Sequence, residues 1–295
     1  MEIQFGTPRK LPKASRLKGR VVVLDIAFAA SSGGGFDKVT RKLIDGLGDR
    51  LAAWVDHHDH ERHVDYVDDE RFVLATKAEH GACPEMIDPQ LVQQVGEVDT
   101  IVCHTDFDGL ASAAKWLRGG KEAYLGCDHD ARAIDTRIGQ SSAAAQMIDR
   151  ALRARPRDQD LLRTIVRHMT EGLSDQKKEM LIRAAADELI PIEKETRRAA
   201  QAYRRYERRD GSGVAFIDIS SGFTRVDKTE LLLLGQKLER VSIVADENTV
   251  TLAAAFDSGE NFLSLLGIEG GMPTRVSVNR SRLQDVFDRL HVDFI

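Results

Sequence analysis

The stretch Val102-Cys-His-Thr-Asp-Phe-Asp-Gly-Leu-Ala-Ser112 joins an apolar run to three residues of the types that bind metals. Thr100 to Cys103 predicts a buried strand, and the segment that follows the glycine predicts a helix. His104, Asp106 and Asp108 recur at every second position, which in an extended chain would direct all three side chains to one face. The end of a strand that leads into a helix is where an open α/β sheet builds its sites.

Two further apolar runs end in acidic or imidazole side chains. Leu51 to Val55 leads directly into Asp56-His57-His58, and Val21-Val-Val-Leu leads into Asp25. Adjacent histidines at a strand end cannot both face the same way, so one can bind metal while the other faces a substrate. Carboxylates that face one another repel unless a cation lies between them. Each motif alone could be a solvated loop, but the three together favour a shared metal site.

These motifs resemble those of the DHH phosphoesterase family, which includes RecJ nuclease, nanoRNases, cyclic-dinucleotide phosphodiesterases and exopolyphosphatases. Asp56-His57-His58 is similar to the motif that names the family, and His104-Thr-Asp-Phe-Asp108-Gly is similar to its first metal motif. Asp25 resembles the lone aspartate of its second motif. The resemblance covers roughly residues 20 to 140. In the family the His-x-Asp-x-Asp-Gly strand comes first, whereas here it comes last, as in a circular permutation.

The resemblance implies two Mn²⁺ ions that activate a water molecule, with Mg²⁺ or Co²⁺ as alternatives. It also implies that His58 contacts the scissile phosphate and that Asp56 orients the histidines. For the fourth motif we favour Asp128, at the end of a predicted strand from Ala123 to Cys127, over Asp135. The implied metal ligands are Asp25, His57, His104, Asp106, Asp108 and Asp128.

The family also implies a second domain that grips the substrate. Gly213 to Ile295 shows a compact α/β pattern that faintly resembles the DHH-associated domain, with Gly270 and Gly271 in the place of its glycine-rich loop. Met272 stands where that loop would carry a histidine. His80 and Arg225 are the other candidate substrate contacts.

The fold class expected is α/β, with an open and mostly parallel sheet, flanking helices, a helical connector and a smaller α/β domain. We place the catalytic domain at residues 1–190, a linker helix at 191–212 and the substrate-binding domain at 213–295. Helical spacing predicts helices at 143–154, 160–170 and 174–189, and the charged run 193–209 predicts a further helix that forms the linker.

The composition disfavours some classes of binding partner. The 295 residues are 42% hydrophobic and 30% charged, with a net charge of −5, so the chain has no general basic surface for long double-stranded nucleic acid. Neither a signal peptide nor a membrane-length apolar run is evident, which predicts a cytoplasmic protein without a membrane partner. The sequence leaves open whether the chain forms a homodimer.

The function expected is Mn²⁺-dependent hydrolysis of a small phosphorylated or short nucleotide substrate: nanoRNA, a dinucleotide, a cyclic dinucleotide or phosphoadenosine phosphate. One alternative is an exopolyphosphatase or pyrophosphatase, because the altered glycine loop leaves a base-binding pocket in question. The other is a catalytically silent metal-binding scaffold. No serine or cysteine nucleophile motif competes with these hypotheses.

Overall fold

The computed structural model describes residues 1–292 and divides into two compact units. The first spans Met1–Glu188 and the second begins at Leu189. Each unit has its own sheet and its own buried core. None of the helices among residues 1–292 has both the length and the apolar character needed to cross a lipid bilayer.

The strands of the first unit are β1 (Glu2–Phe5), β2 (Val21–Leu24), β3 (Leu51–Asp56), the two-residue β4 (Asp59–His60), β5 (Phe72–Leu74) and β6 (Thr100–Cys103). Five of them form a sheet in the order β1-β6-β2-β3-β5, and every pairing in this sheet is parallel. All residues of β2, β3 and β6 are buried. Continuous burial is typical of parallel strands that are covered on both faces. The predicted α/β class and parallel sheet are confirmed.

Helices cover both faces of this sheet. They are α1 (Thr40–Leu47), α2 (Pro89–Val95), α3 (Phe107–Leu117), α4 (Cys127–Thr136), α5 (Ala143–Ala154), α6 (Gln159–Thr170) and α7 (Gln176–Asp187). On one face, Val22 and Ile101 belong to a core shared with α3, α5 and α6. On the other, Val23 and Trp54 pack with α1. The three predicted helices between residues 143 and 189 are confirmed to within two residues at each end.

One predicted strand of the first unit is wrong. Ala123 to Cys127 forms a turn, in which Cys127 N donates to Tyr124 O at 3.1 Å, and α4 begins at Cys127 itself. Gly126, directly before the helix, has a φ of 84°, a left-handed conformation that favours glycine and interrupts an extended chain. A five-residue apolar run does not by itself separate a strand from a buried turn and helix start.

The second unit begins with a helix that has a proline near its start. Its helices are α8 (Leu189–Ala200), α9 (Lys228–Gln236), α10 (Phe262–Leu266) and α11 (Leu283–Arg289). Pro191 is the third residue of α8, in the first turn, where a missing amide hydrogen leaves no helical bond unmade. The helix predicted to run to residue 209 ends at Ala200, and the next four-residue element is a strand.

The sheet of the second unit has the order β12-β10-β9-β8-β7. Its strands are β7 (Arg204–Glu207), β8 (Gly213–Asp218), β9 (Val241–Ala245), β10 (Thr249–Ala254) and β12 (Arg275–Asn279), and the two-residue β11 is Gly270–Gly271. Only β8 and β9 pair in parallel. The apolar runs 214–219, 241–245 and 250–256 predict strands, and β8, β9 and β10 confirm them. The charged β7 was mistaken for helix because an edge strand, like a surface helix, leaves its arginines in solvent.

Asp246 stabilises the turn between β9 and β10. Its carboxylate accepts bonds from Asn248 N at 2.8 Å, Thr249 N at 2.6 Å and Lys228 Nζ at 2.7 Å. Burial acts to raise the pKa of Asp246, but Lys228 and the two amides outweigh it and lower the pKa to about 2. A carboxyl pKa below its unfolded value adds stability at neutral pH that is lost as the pH falls towards 2.

We therefore expect Asp246→Asn to destabilise the protein by about 1 kcal/mol at pH 7, after allowance for solvent screening, and by less at pH 2.5. Urea unfolding followed by circular dichroism at the two pH values measures this difference. Asp257→Asn, at an exposed position of the same unit, is the control. An equal loss at both pH values would show that the charge of Asp246 does not contribute.

Candidate metal centre

The three motifs meet because of the strand order. β2 lies between β6 and β3, and all three strands run in the same direction, so their carboxyl ends share one edge of the sheet. Asp25 follows β2, the two histidines follow β3, and His104 follows β6. Potential ligand atoms within 4.8 Å of one another form three groups: Asp25 with His57 and His58, Asp25 with His104 and Asp106, and His57 with Asp108 and Asp135.

Asp25 belongs to two of these groups, as His57 does. It has a left-handed φ of 58°, and its amide donates to Val55 O at 2.8 Å. Its side chain is buried, and neither carboxylate oxygen accepts a hydrogen bond from any residue between 1 and 292. Burial, followed by the charges of Asp108 and Asp106, raises the pKa of Asp25 well above its usual value. A buried carboxylate in this setting needs a cation as its partner.

His104 and Asp106 face Asp25 from the end of β6. His104 Nδ1 lies 2.6 Å from Asp106 Oδ2 and 3.8 Å from Asp25 Oδ2. Burial acts to lower the pKa of His104, but the charge of Asp106 outweighs it and raises the pKa to about 10. Asp106 also caps α3, since its Oδ1 accepts a bond from Gly109 N at 3.3 Å. One nitrogen and carboxylate oxygens make a mixed ligand set that suits Mn²⁺.

Asp108 does not share a face with His104 and Asp106, as alternation along an extended chain had suggested. The chain is extended only as far as Asp106, and α3 begins at Phe107, so Asp108 lies in the first helical turn. Its Oδ2 lies 3.2 Å from His57 Nε2 and 3.4 Å from the amide nitrogen of Cys83. The prediction placed Asp108 near the site, but with the wrong neighbours, because the helix changes the direction of successive side chains.

The two histidines after β3 point in different directions, as expected. His57 is fully buried, its Nδ1–H donates to His80 O at 2.9 Å, and its Nε2 lies 3.2 Å from Asp25 Oδ1. A carbonyl oxygen can only accept, so Nδ1 carries a proton, and Nε2 is the nitrogen that faces the cluster. His58 Nδ1 lies 2.8 Å from Asp56 Oδ1. That bond engages only one of the two ring nitrogens of His58.

Lys77 is a member of this cluster that sequence reasoning missed. Its side chain is 2% exposed, Nζ lies 2.8 Å from His57 Nε2, and Nζ donates to Asp135 Oδ2. Burial acts to lower the pKa of Lys77, but the carboxylates of Asp135, Asp108 and Asp25 raise it, so the ammonium keeps its charge. Lys77 follows β5, the neighbour of β3, by three residues. The strand-end rule that found the histidines, applied to β5, would have pointed to it.

The structure separates the two candidates for the fourth motif. Asp128 lies in the first turn of α4 and forms an ion pair with Lys115 Nζ, and it belongs to none of the three groups. Asp135 lies two turns further along α4 and joins His57 and Asp108. The preference for Asp128 depended on the strand before it, which is absent. Asp135 reaches the sheet edge, and Asp128 does not, because seven residues of helix α4 separate the two.

The predicted substrate contacts are divided between the units. The His80 side chain is 41% exposed and lies 3.7 Å from Glu85, and the residue reaches His57 through its carbonyl oxygen. Arg225 lies between β8 and α9, and Gly270 and Gly271 form β11, all in the second unit. Contact of any of these residues with a substrate stays a prediction.

The chain matches no protein-family model and no curated protein. The resemblance to the DHH family therefore rests on the motif residues themselves, and membership stays a prediction. The clustered geometry does not depend on that membership. Asp25, His104 and Asp106 fit a divalent cation because the buried oxygens of Asp25 have no donor among the described residues and because the set mixes nitrogen with oxygen.

Proposed function

We propose that this protein is a metal-dependent phosphoric ester hydrolase of the DHH type. The observation that carries the proposal is the Asp25 carboxylate, which is buried without a hydrogen-bond donor among residues 1–292 where three motif-bearing strands end side by side. Such a carboxylate is costly unless it binds a cation. Mn²⁺ is the ion proposed, with Mg²⁺ or Co²⁺ as alternatives, because imidazole accompanies the carboxylates.

Asp25, His104 and Asp106 would hold the cation. When bound, it supplies a Lewis acid that lowers the pKa of water and neutralises charge on the phosphate. His58 is the group proposed to contact the phosphate, through the nitrogen that Asp56 leaves free. Asp56 is a positioning residue: its Oδ1 fixes the tautomer and the ring orientation of His58, and its second oxygen is buried with no hydrogen bond from the part of the chain that the structure describes.

The substrate proposed is a short nucleotide, such as a dinucleotide or a cyclic dinucleotide. The net charge of −5 supports a small substrate over a long polyanion, because a long polyanion requires an extended basic surface. A silent metal-binding scaffold is the second candidate, and Lys77 favours it, since the ammonium takes up ligand atoms that catalysis would use. Turnover decides between the two.

The proposal is tested by an Mn²⁺-dependent activity panel on bis-nitrophenyl phosphate, short RNA dinucleotides, cyclic dinucleotides and polyphosphate. We expect hydrolysis of a nucleotide substrate, and a loss of at least about 100-fold in Asp106→Ala and in His57→Ala. The Asp106 side chain is 45% exposed, so its removal leaves the core intact. Asp160→Ala, at a side chain that is 99% exposed, is the matched control.

Three results would contradict the proposal or part of it. Undiminished turnover in Asp106→Ala would reject the site. Hydrolysis of polyphosphate alone would replace the nucleotide with an inorganic substrate. No Mn²⁺-dependent turnover on the whole panel would favour the scaffold.

A further inference from the structure

The group formed by His57, Asp108 and Asp135 already contains a positive charge. Lys77 Nζ donates to Asp135 Oδ2 and lies 2.8 Å from His57 Nε2, with its side chain 2% exposed. An imidazole nitrogen has one lone pair, which either accepts a hydrogen bond or binds a metal. Since His57 donates its other nitrogen to His80 O, Nε2 is the only atom it can offer. The ammonium and a second ion compete for that atom.

The turn that carries Lys77 is held by several bonds. Thr76 O accepts from the amides of Glu79 and His80, both at 3.1 Å, and Glu79 Oε2 accepts from Thr76 N and Oγ1 at 2.8 Å. The Lys77 amide donates to Asp59 Oδ2 at 3.3 Å. One short turn therefore contacts both nitrogens of the His57 ring, through the His80 carbonyl and the Lys77 ammonium. These bonds oppose an outward movement of the lysine.

The group formed by Asp25, His104 and Asp106 is free of this competition. Asp25, His104 and Asp106 form it without Lys77, and the Asp25 oxygens accept no hydrogen bond among the described residues. The two groups thus differ in the side chains that they contain. The group of His57, Asp108 and Asp135 holds an ammonium, which cannot bind a metal, whereas the group of Asp25, His104 and Asp106 holds an imidazole and carboxylates, which a divalent cation can bridge.

We infer that the Lys77 ammonium takes the place of one of the two metal ions, so that each chain binds a single divalent cation at Asp25, His104 and Asp106. This inference rests on the proposed function for the metal site but not on turnover. It departs from the two-ion arrangement that the motifs imply. Asp135 then holds Lys77 in place by accepting a hydrogen bond from its ammonium, and positive charge beside the cation is permanent and independent of metal supply.

The test is the stoichiometry of Mn²⁺ binding, measured on the full chain by equilibrium dialysis and by electron paramagnetic resonance. We expect one Mn²⁺ per wild-type chain with the six-line spectrum of an isolated ion. In Lys77→Met, His57 Nε2 becomes free, and we expect a second Mn²⁺ to bind at least about tenfold more tightly than any second ion in the wild type. Two ions about 3.5–4 Å apart would give a spin-coupled spectrum.

Lys121→Met, at an exposed lysine of the same unit, is the control and is expected to bind one ion. Two coupled ions in the wild type would overturn the inference, whether or not Lys77→Met folds, because the lysine would then have left its place. One ion in a folded Lys77→Met would also overturn it. One ion in the wild type without turnover on any substrate would reject the proposed function and leave the inference standing. Two ions with turnover would reject the inference and leave the proposed function standing.

Discussion

Asp25→Asn is expected to raise the melting temperature of the metal-free protein and to abolish Mn²⁺ binding. The native carboxylate is buried beside Asp108 and Asp106 and has no hydrogen-bond donor among residues 1–292, so its charge destabilises the fold without a cation. Relieving a buried unsatisfied group is worth about 1–3 kcal/mol. For a unit of this size that is roughly 2–10 °C. Asparagine keeps the shape of the side chain and tolerates the left-handed φ of 58°.

The pH dependence of the effect of Asp25→Asn on stability distinguishes the loss of the charge from the change in side-chain shape. When the pKa of a carboxyl is higher in the folded than in the unfolded state, the protein loses stability as the pH rises above the unfolded-state pKa, which is about 3.9 for aspartate. The stability advantage of Asp25→Asn should therefore be small near pH 4 and grow towards pH 7. Differential scanning calorimetry with and without Mn²⁺ measures it, with Asp160→Asn as the exposed control. A lower melting temperature for metal-free Asp25→Asn at pH 7 would show that the carboxylate is already stabilised by the protein.

Gly109→Ala is expected to destabilise the protein and to weaken Mn²⁺ binding by an order of magnitude or more. A Cβ at this position would lie 2.8 Å from both the Cβ and the carbonyl oxygen of His104. Alanine gains up to about 1 kcal/mol of helix propensity over glycine, but overpacking costs about 1–3 kcal/mol, so the clash prevails. To relieve the clash, the first turn of α3 must move away from the end of β6. His104 follows β6 and Asp106 caps α3, so this movement would separate the two residues.

Gly46→Ala is the matched control for this prediction. Gly46 lies in α1, and its added Cβ would meet the Cβ of Ala14 at 2.9 Å, far along the chain from the motif. We expect a comparable loss of stability there with Mn²⁺ affinity unchanged. Isothermal titration with Mn²⁺, together with urea unfolding of both variants, makes the comparison. Equal effects of the two variants on Mn²⁺ affinity would mean that the glycine of the Asp-Gly pair has no special role at the site.

Most of the first unit could be predicted because its signals are local. Fully buried strands appear as short apolar runs, and the helices from α5 to α7 show apolar residues at helical spacing. The errors occurred where two structures share one pattern. Ala123 to Cys127 is apolar both as a strand and as a turn before a helix, and the arginines of β7 are exposed in a strand as they would be in a helix.

Local patterns identified the strand ends that carry candidate ligands, because an apolar run and the polar residues that follow it are neighbours along the chain. These patterns were enough to single out Asp25, His57 and His104. Which groups face one another across the sheet edge depends instead on how distant segments pack. The order of β6, β2 and β3, the start of α3 after Asp106 and the two helical turns that lead to Asp135 set those distances. Lys77 enters the cluster for the same physical reason: contacts between side chains distant in sequence depend on strand order and helix phase, neither of which a single segment encodes.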